Sequence, residues 1–154
     1  MSGRDIIFLV DDPNWKKARG LEIKLRRAAR QAALQGGFKG KGALSVLLGS
    51  DAKLRALNRD FRGLDKPTNV LSFPAGPNAE NYLGDVALAY GVTAKEAKAA
   101  GKSLGDHAAH LVVHGVLHLA GYDHERVRDA EKMESLEVKI LDELGIANPY
   151  RVNS

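Results

Sequence analysis

The sequence predicts an α+β fold in which helices pack against a small mixed sheet of four strands. In the first half of the chain, short apolar runs typical of strands alternate with longer amphipathic stretches typical of helices. The second half carries helical periodicity almost throughout, from Ser103 to Gly145. A length of 154 residues suits one domain, 1–154, with one hydrophobic core.

Start and stop signals divide the chain into four strands and five helices. Asp12 followed by Pro13 favours a helix start, and Ser50, Thr93 and Ser103 are further candidate caps. The predicted strands cover 5–10, 43–48, 70–73 and 82–89, and the predicted helices cover 12–34, 50–62, 93–101, 103–120 and 125–144.

The apolar pattern also predicts which segments are buried. The first strand is a continuous apolar run, so we expect both of its faces to be covered. Phe61 and Val127 fall on apolar helical stripes and are predicted to be core residues. Residues 147–154 are predicted to be frayed.

Composition narrows the class of protein and of partner. The chain has no cysteine, which excludes disulfides and thiolate ligands and fits the cytoplasm. The apolar run near the N-terminus is too short for a secretory signal, and no membrane span is expected. A net charge of +4 favours a polyanionic partner. The basic residues of the first long helix fit either a solvated face or a footprint for RNA phosphates.

Histidines recur at three- and four-residue steps in the second half of the chain, at 107, 110, 114 and 118. Residues eight apart on a helix are separated by roughly 12 Å, so only an adjacent pair can share one ion. His114 and His118 lie closest to Gly121, which is suited to end the helix and to return His124 as a third ligand. The fourth position of a tetrahedral zinc ion would then stay open, as in catalytic sites. We expect His110 behind the ligands or in the core and His107 near solvent, although any one of these could be an ordinary helix histidine.

Gly115 separates this pattern from that of the zinc proteases. In H-E-x-x-H enzymes, the residue after the first histidine is a glutamate that takes a proton from the metal-bound water. Because glycine has no side chain to accept a proton, the sequence disfavours peptide hydrolysis by that mechanism.

Two segments resemble one known family. The sequence HLVVHGVLHLAGYDH at 110–124 and the sequence FRGLDKPTNVLSFP at 61–74 are similar to signature elements of the YbeY family, single-domain bacterial metal-dependent endoribonucleases. Asn69 stands where that family usually has an aspartate, which weighs against a charge-dependent role at this position.

The resemblance implies a four-stranded, mostly parallel sheet in an α+β fold, with the metal site on a helix of the C-terminal half and the turn after it. It implies a zinc-dependent, single-strand-specific endoribonuclease that acts in ribosomal RNA maturation and ribosome quality control. Its partners would be ribosomal RNA, the ribosome and ribosomal proteins, with no DNA. A different divalent transition metal would also suit the ligands.

Two further residues are candidates for the chemistry. Arg62 matches the arginine of the family element, and a guanidinium fits phosphate oxygens two at a time, so we expect it to bind the scissile phosphate. Asp85 follows a glycine in a predicted strand and is a candidate for catalysis or for structural support. The general base is left open between the metal's own bound water, Asp85 and the ribose 2′-hydroxyl.

Two other functions fit the same residues. One is a metal-dependent hydrolase of peptides or small amides, against which Gly115 counts. The other is a ribosome assembly factor without activity, in which zinc only braces the turn at Gly121. Three protein ligands, rather than four, count against a purely structural ion.

Overall fold

The protein forms a four-stranded sheet with helices on both faces. The structure is a computed structural model that describes residues 5–38, 42–122 and 126–150. The strands are β1 (Ile6–Val10), β2 (Leu44–Gly49), β3 (Val70–Pro74) and β4 (Gly84–Ala89). The helices are α1 (Leu21–Gln35), α2 (Asp51–Arg62), α3 (Tyr90–Ala99), α4 (Leu104–Leu119) and α5 (Val127–Glu143).

The strand order is β1-β2-β4-β3. Strands β1, β2 and β4 are parallel, whereas β3 runs antiparallel to β4 at the opposite edge from β1. The predicted α+β class, with a mostly parallel mixed sheet and five helices, is confirmed.

The two faces of the sheet are covered by different helices. Because side chains alternate along a strand, Val86 and Leu88 of β4 face the larger core beneath α1 and α4. Ala87 and Ala89 face a smaller cluster that includes Leu54 of α2. The side on which a residue of β4 lies therefore decides whether it can reach α4.

Helix α4 is the central helix of the fold. It contacts α1, α3, α5, β3 and β4, and one side of it is fully buried. Ser103 caps its start by accepting the N–H of Asp106 at 3.1 Å. At its end, Gly121 has a φ of 98°, and its N–H donates to the carbonyl of His118 at 3.0 Å while that of Tyr122 donates to Leu117 at 3.1 Å. These paired bonds form the Schellman turn that glycine favours, so the predicted helix end is confirmed.

The predicted helix over 12–34 was wrong in its first part. Asp12 does cap a helical turn, but that turn is a 3₁₀ helix over Pro13–Lys17, and the chain turns at Gly20 before α1 begins. The indole N–H of Trp15 donates to the carbonyl of Gly49 at 2.9 Å, and the ring packs edge-on against Tyr90. Burial of this large side chain ties the segment to the sheet and separates it from α1.

Several burial and boundary predictions were also wrong. Strand β1 lies at an edge with Ile7 and Leu9 exposed, because α2 packs over β3 and β4 instead. Phe61 and Val127, predicted as core, are 69% and 78% exposed. Thr93 does not cap α3; it lies inside that helix, fully buried, because α3 follows directly from β4.

No helix among residues 5–38, 42–122 and 126–150 is both long enough and apolar enough to cross a membrane.

Candidate metal centre and active site

His114 and His118 lie one turn apart on the last two turns of α4, and their rings converge. The two Nε2 atoms are 3.1 Å apart. Two nitrogens bound at about 2.0–2.1 Å to one tetrahedral ion would be separated by about 3.3 Å, so these rings fit a shared metal ion. Because α4 is capped at both ends and packed on several sides, the two rings are held on a rigid element.

The third predicted ligand, His124, lies outside the described residues. Within the described ranges, no group of three or more histidine, cysteine, aspartate or glutamate side chains is arranged to hold a metal ion. The described part of the chain therefore supplies two of the three predicted ligands, His114 and His118.

A buried carboxylate lies directly behind His114. Glu137 of α5 is fully buried, and its Oε1 is 3.0 Å from His114 Nδ1. Burial disfavours the charged form of Glu137, but interactions with His110, His114 and Tyr150 outweigh it and lower the pKa of Glu137 to about 2. At neutral pH the site therefore contains an ionised carboxylate inside the protein.

Tyr150 completes the surroundings of Glu137. Its hydroxyl donates to Glu137 Oε2 at 2.8 Å, and burial together with the neighbouring carboxylate raises the pKa of Tyr150. Residues 147–154 were predicted to be frayed, and for Tyr150 that prediction was wrong because its hydroxyl is bound to the core. Residues 151–154 lie outside the described part.

The two upstream histidines do not reach the convergent pair. His110 lies behind it, with Nε2 3.3 Å from both Glu137 Oε1 and the Tyr150 hydroxyl, as expected for a histidine that supports the ligands. His107 was predicted near solvent, but its side chain is only 12% exposed. Its Nε2 is 2.9 Å from Glu96 Oε1, and Glu96 in turn accepts the side-chain amide of Asn69 at 3.1 Å. Asn69 thus acts here as a neutral donor to a carboxylate.

Arg62 lies at the C-terminal end of α2 and is connected to α4 through one residue of β3. Its guanidinium donates to the carbonyl of Ser72 at 3.2 Å, and the Ser72 hydroxyl donates to the carbonyl of Gly115 at 2.9 Å. Gly115 is next to His114 in the chain. The structure therefore links the predicted phosphate-binding arginine to the histidine helix through Ser72.

Gly115 faces the sheet. A Cβ built at this position would lie 2.7 Å from Val86 Cγ1 and 3.2 Å from the Ser72 hydroxyl. Position 115 therefore has no room for the glutamate that serves zinc proteases, because α4 approaches the sheet too closely there.

The structure places Asp85 on the other face of the sheet from α4. It lies two residues before Ala87, which faces the α2 side, and its carboxylate accepts the hydroxyls of Ser45 and Tyr82. Burial and the hydrogen bond to Asp85 raise the pKa of Tyr82. Asp85 is thus not brought together with His114 and His118.

A comparison with known families gives this geometry its context. The sequence model described as "Endoribonuclease YbeY" matches residues 11–145. The chain belongs to the YbeY endoribonuclease family. Proteins named Endoribonuclease YbeY include one from Chelativorans sp. (strain BNC1), which is 47% identical over 94% of this chain and 92% of that protein. Another, from Alkalilimnicola ehrlichii, is 49% identical over 90% of this chain and 87% of that protein.

A solved structure agrees with the fold assigned to this YbeY family member. The solution structure of TM1509 from Thermotoga maritima covers 96% of this chain and 99% of its own, with a TM-score of 0.55 and 26% identity. The sequence-based predictions of family, fold and an endoribonuclease, which hydrolyses phosphodiester bonds in RNA, are confirmed.

Sequence reasoning missed three residues that shape the site of this YbeY protein: Ser72, Glu137 and Tyr150. One of them left a signal. Glu137 falls between Met133 and Ile140 on the buried stripe of α5, where a charged residue is costly unless it has partners. Ser72 and Tyr150 gave no signal, because their roles depend on contacts across 43 and 13 residues of chain.

Proposed function

We propose that this protein is a metal-dependent, single-strand-specific endoribonuclease that acts in ribosomal RNA maturation and ribosome quality control. The observation that carries the proposal is the convergence of the His114 and His118 Nε2 atoms at 3.1 Å, on a helix that Ser72 connects to Arg62. Ribosomal RNA, the ribosome and ribosomal proteins are the partners, and the cytoplasm is the compartment in which they meet.

His114 and His118 would hold the ion, with His124 as the third ligand of the proposed set. Imidazole suits zinc, and other divalent transition metals share this preference. When bound, the ion would polarise a phosphoryl oxygen and lower the pKa of a coordinated water.

Arg62 would bind the scissile phosphate. Its side chain is exposed, and the bond to Ser72 occupies one of the five N–H donors of the guanidinium. The remaining donors suit phosphate oxygens, and the Ser72 carbonyl fixes the direction in which they point. The added negative charge of the transition state would then lie beside a fixed cation.

The contacts of Asp85 favour structural support over proton transfer. Its carboxylate ties Tyr82, in the loop before β4, to Ser45 of β2, on the sheet face opposite α4. We therefore propose that Asp85 stabilises the pairing of the two central strands, β2 and β4, and takes no direct part in cleavage. The alternative function, a peptide hydrolase, loses further support, because position 115 has no room for a side chain that could act as the general base.

The surface charge fits an RNA substrate. Lys16, Lys17, Arg19 and Arg27 are exposed on the 3₁₀ helix, the turn after it and α1. Such exposed cations would bind phosphates without reading sequence, and their contribution would weaken as salt rises.

Reversing the charge at Arg62 tests the proposal. We expect Arg62→Glu to lower the cleavage rate of single-stranded RNA by metal-loaded protein about 10²–10³-fold, the usual loss for one transition-state donor. Arg59→Glu is the matched control, since Arg59 lies on the same helix but pairs with Asp60. We expect it to change the rate only a few-fold. Equal cleavage by the Arg62→Glu variant and the wild type would contradict the phosphate role.

A further inference from the structure

The carboxylate behind His114 joins three parts of the chain at the proposed metal site. Glu137 on α5 contacts His114 on α4 and Tyr150 in the C-terminal segment. We propose that Glu137 is a positioning residue, whose carboxylate sets the tautomer and the ring orientation of His114 for the metal, and that Tyr150 holds this carboxylate in place. The inference rests on the proposed metal-dependent function.

The tautomer follows from the chemistry of the pair. Glu137 Oε2 accepts the Tyr150 hydroxyl, so the Glu137 side chain acts as an acceptor, and the ring nitrogen that faces its other oxygen carries the proton. Glu137 Oε1 is 3.0 Å from His114 Nδ1, so Nδ1 is the donor. The lone pair of a neutral ring then lies on Nε2, the atom that is 3.1 Å from His118 Nε2. The same contact that fixes the proton also turns the ligating atom toward the second imidazole.

The carboxylate is itself held from both sides. Tyr150 donates to Oε2 at 2.8 Å, and His110 Nε2 lies 3.3 Å from Oε1. With both oxygens engaged and the side chain fully buried, the carboxylate cannot swing away from His114. Tyr150 thus acts on His114 through its hydrogen bond to Glu137.

Packing alone does not account for a charge at this position. Glu137 lies among Met133, Ile140 and Leu141 on the buried side of α5. An apolar residue of similar volume there is generally as stable as a buried ionic group or more stable. A carboxylate at this point is explained by what it does to the ring of His114.

Metal affinity of purified protein is the first test. Co²⁺ titration followed by visible absorption, and competition with a chelator for Zn²⁺, measure it directly. We expect Glu137→Gln to weaken binding about 10–100-fold, the usual effect of losing such an outer partner. Tyr150→Phe keeps the Glu137 carboxylate and removes the hydrogen bond to its Oε2. We therefore expect metal affinity to fall by only a few-fold.

Glu96→Gln is the matched control. Glu96 of α3 lies 2.9 Å from His107, which is on α4 like His114 but is not a proposed ligand. We expect its metal affinity to stay within about two-fold of the wild type, well below the loss that an outer partner of a ligand produces. Equal affinities of the wild type, Glu137→Gln and Tyr150→Phe would overturn the positioning role.

The position of the proton on the His114 ring can be measured in the absence of metal. In the metal-free wild type, ¹⁵N-detected NMR of the histidine side chains should show His114 protonated on Nδ1, and Glu137→Gln should raise the Nε2-protonated fraction. A wild-type ring protonated on Nε2 would overturn the inference by itself. If instead the wild type and His114→Ala bind Zn²⁺ equally, the metal site of the proposed function fails, whereas an Nδ1 proton that depends on Glu137 would still support the hold on the ring.

Discussion

Two histidines of helix α4, His107 and His114, each face a glutamate of a neighbouring helix, and the two pairs differ in which ring nitrogen they leave available. At its first turns, His107 meets Glu96 at 2.9 Å, and near its end His114 meets Glu137 at 3.0 Å. The first pair uses Nε2 of the ring and the second uses Nδ1. This choice of nitrogen decides where the other nitrogen points.

In the upstream pair, the remaining ring nitrogen of His107 makes no hydrogen bond within the described part of the chain. His107 Nδ1 is buried and has no hydrogen-bond partner among the described residues, and Glu96 is partly exposed and shared with Asn69. In the downstream pair, the remaining Nε2 faces a second imidazole. A histidine next to a carboxylate is therefore a candidate ligand only when its other nitrogen converges with another donor.

The largest difference between the two pairs is expected in RNA cleavage when the histidine of each pair is replaced by asparagine. We expect His114→Asn to lower RNA cleavage by more than about 100-fold, because loss of a ligand should exceed the 10–100-fold effect of an outer partner. Metal content measured on the same preparations should fall with it. His107→Asn, at the equivalent place in the other pair, should keep its metal and cleave at a rate within a few-fold of the wild type. Comparable losses in the two variants would remove the distinction between the pairs.

Two glycines of α4 allow the packing of its two ends to be compared. At Gly115 a new Cβ would press on Val86, which is fully buried, so we expect Gly115→Ala to lower the free energy of unfolding by about 1–3 kcal/mol. At Gly105 the nearest atoms would be the flexible Lys24 side chain at 3.4 Å or beyond. Gly105→Ala should therefore be neutral or stabilising by up to about 1 kcal/mol, the helix preference of alanine.

Chemical unfolding with a single far-UV probe measures both variants. A stabilised Gly115→Ala protein would show that α4 can move away from β4 at little cost.

A smaller effect is expected at the upstream pair from Asn69→Asp. The new carboxylate would face Glu96, and repulsion raises the pKa of one of the two groups in the folded state. A raised carboxyl pKa destabilises the fold at pH values above it, so the loss should be present at pH 7, fade as the pH falls through the raised pKa, and be largely gone below about 4. Because Glu96 is 41% exposed, we expect only about 0.5–1 kcal/mol.

Unfolding at pH 7 and below pH 4 checks this sign. Adding Glu96→Gln to Asn69→Asp should restore the lost stability, since the new amide can donate to the new carboxylate. A loss that is the same at both pH values would mean that charge is not its cause.

The parts of the site that sequence could predict are those set by local rules. Ser103 and Gly121 mark the ends of α4 through their own backbone preferences, and a four-residue spacing places His114 and His118 on one face whatever the rest of the chain does.

The parts that sequence could not predict depend on which elements become neighbours. Strand β1 reads as a buried strand, yet the strand order leaves it at an edge. Trp15 reads as part of a long helix, yet its bond to Gly49, 34 residues away, breaks that helix. Glu137 meets His114 across 23 residues, so its partner was not visible even though its place on an apolar stripe was.

Strand β3 borders only one other strand and runs against it. On such an outermost strand, alternate peptide groups point away from the sheet and remain available to side chains. The Ser72 carbonyl is used in this way by Arg62, while the hydroxyl of the same residue reaches inward to α4. Its place at the border of the sheet thus gives the enzyme a main-chain anchor for a long cationic side chain, because the carbonyls of a strand enclosed on both sides would be bonded to neighbouring strands.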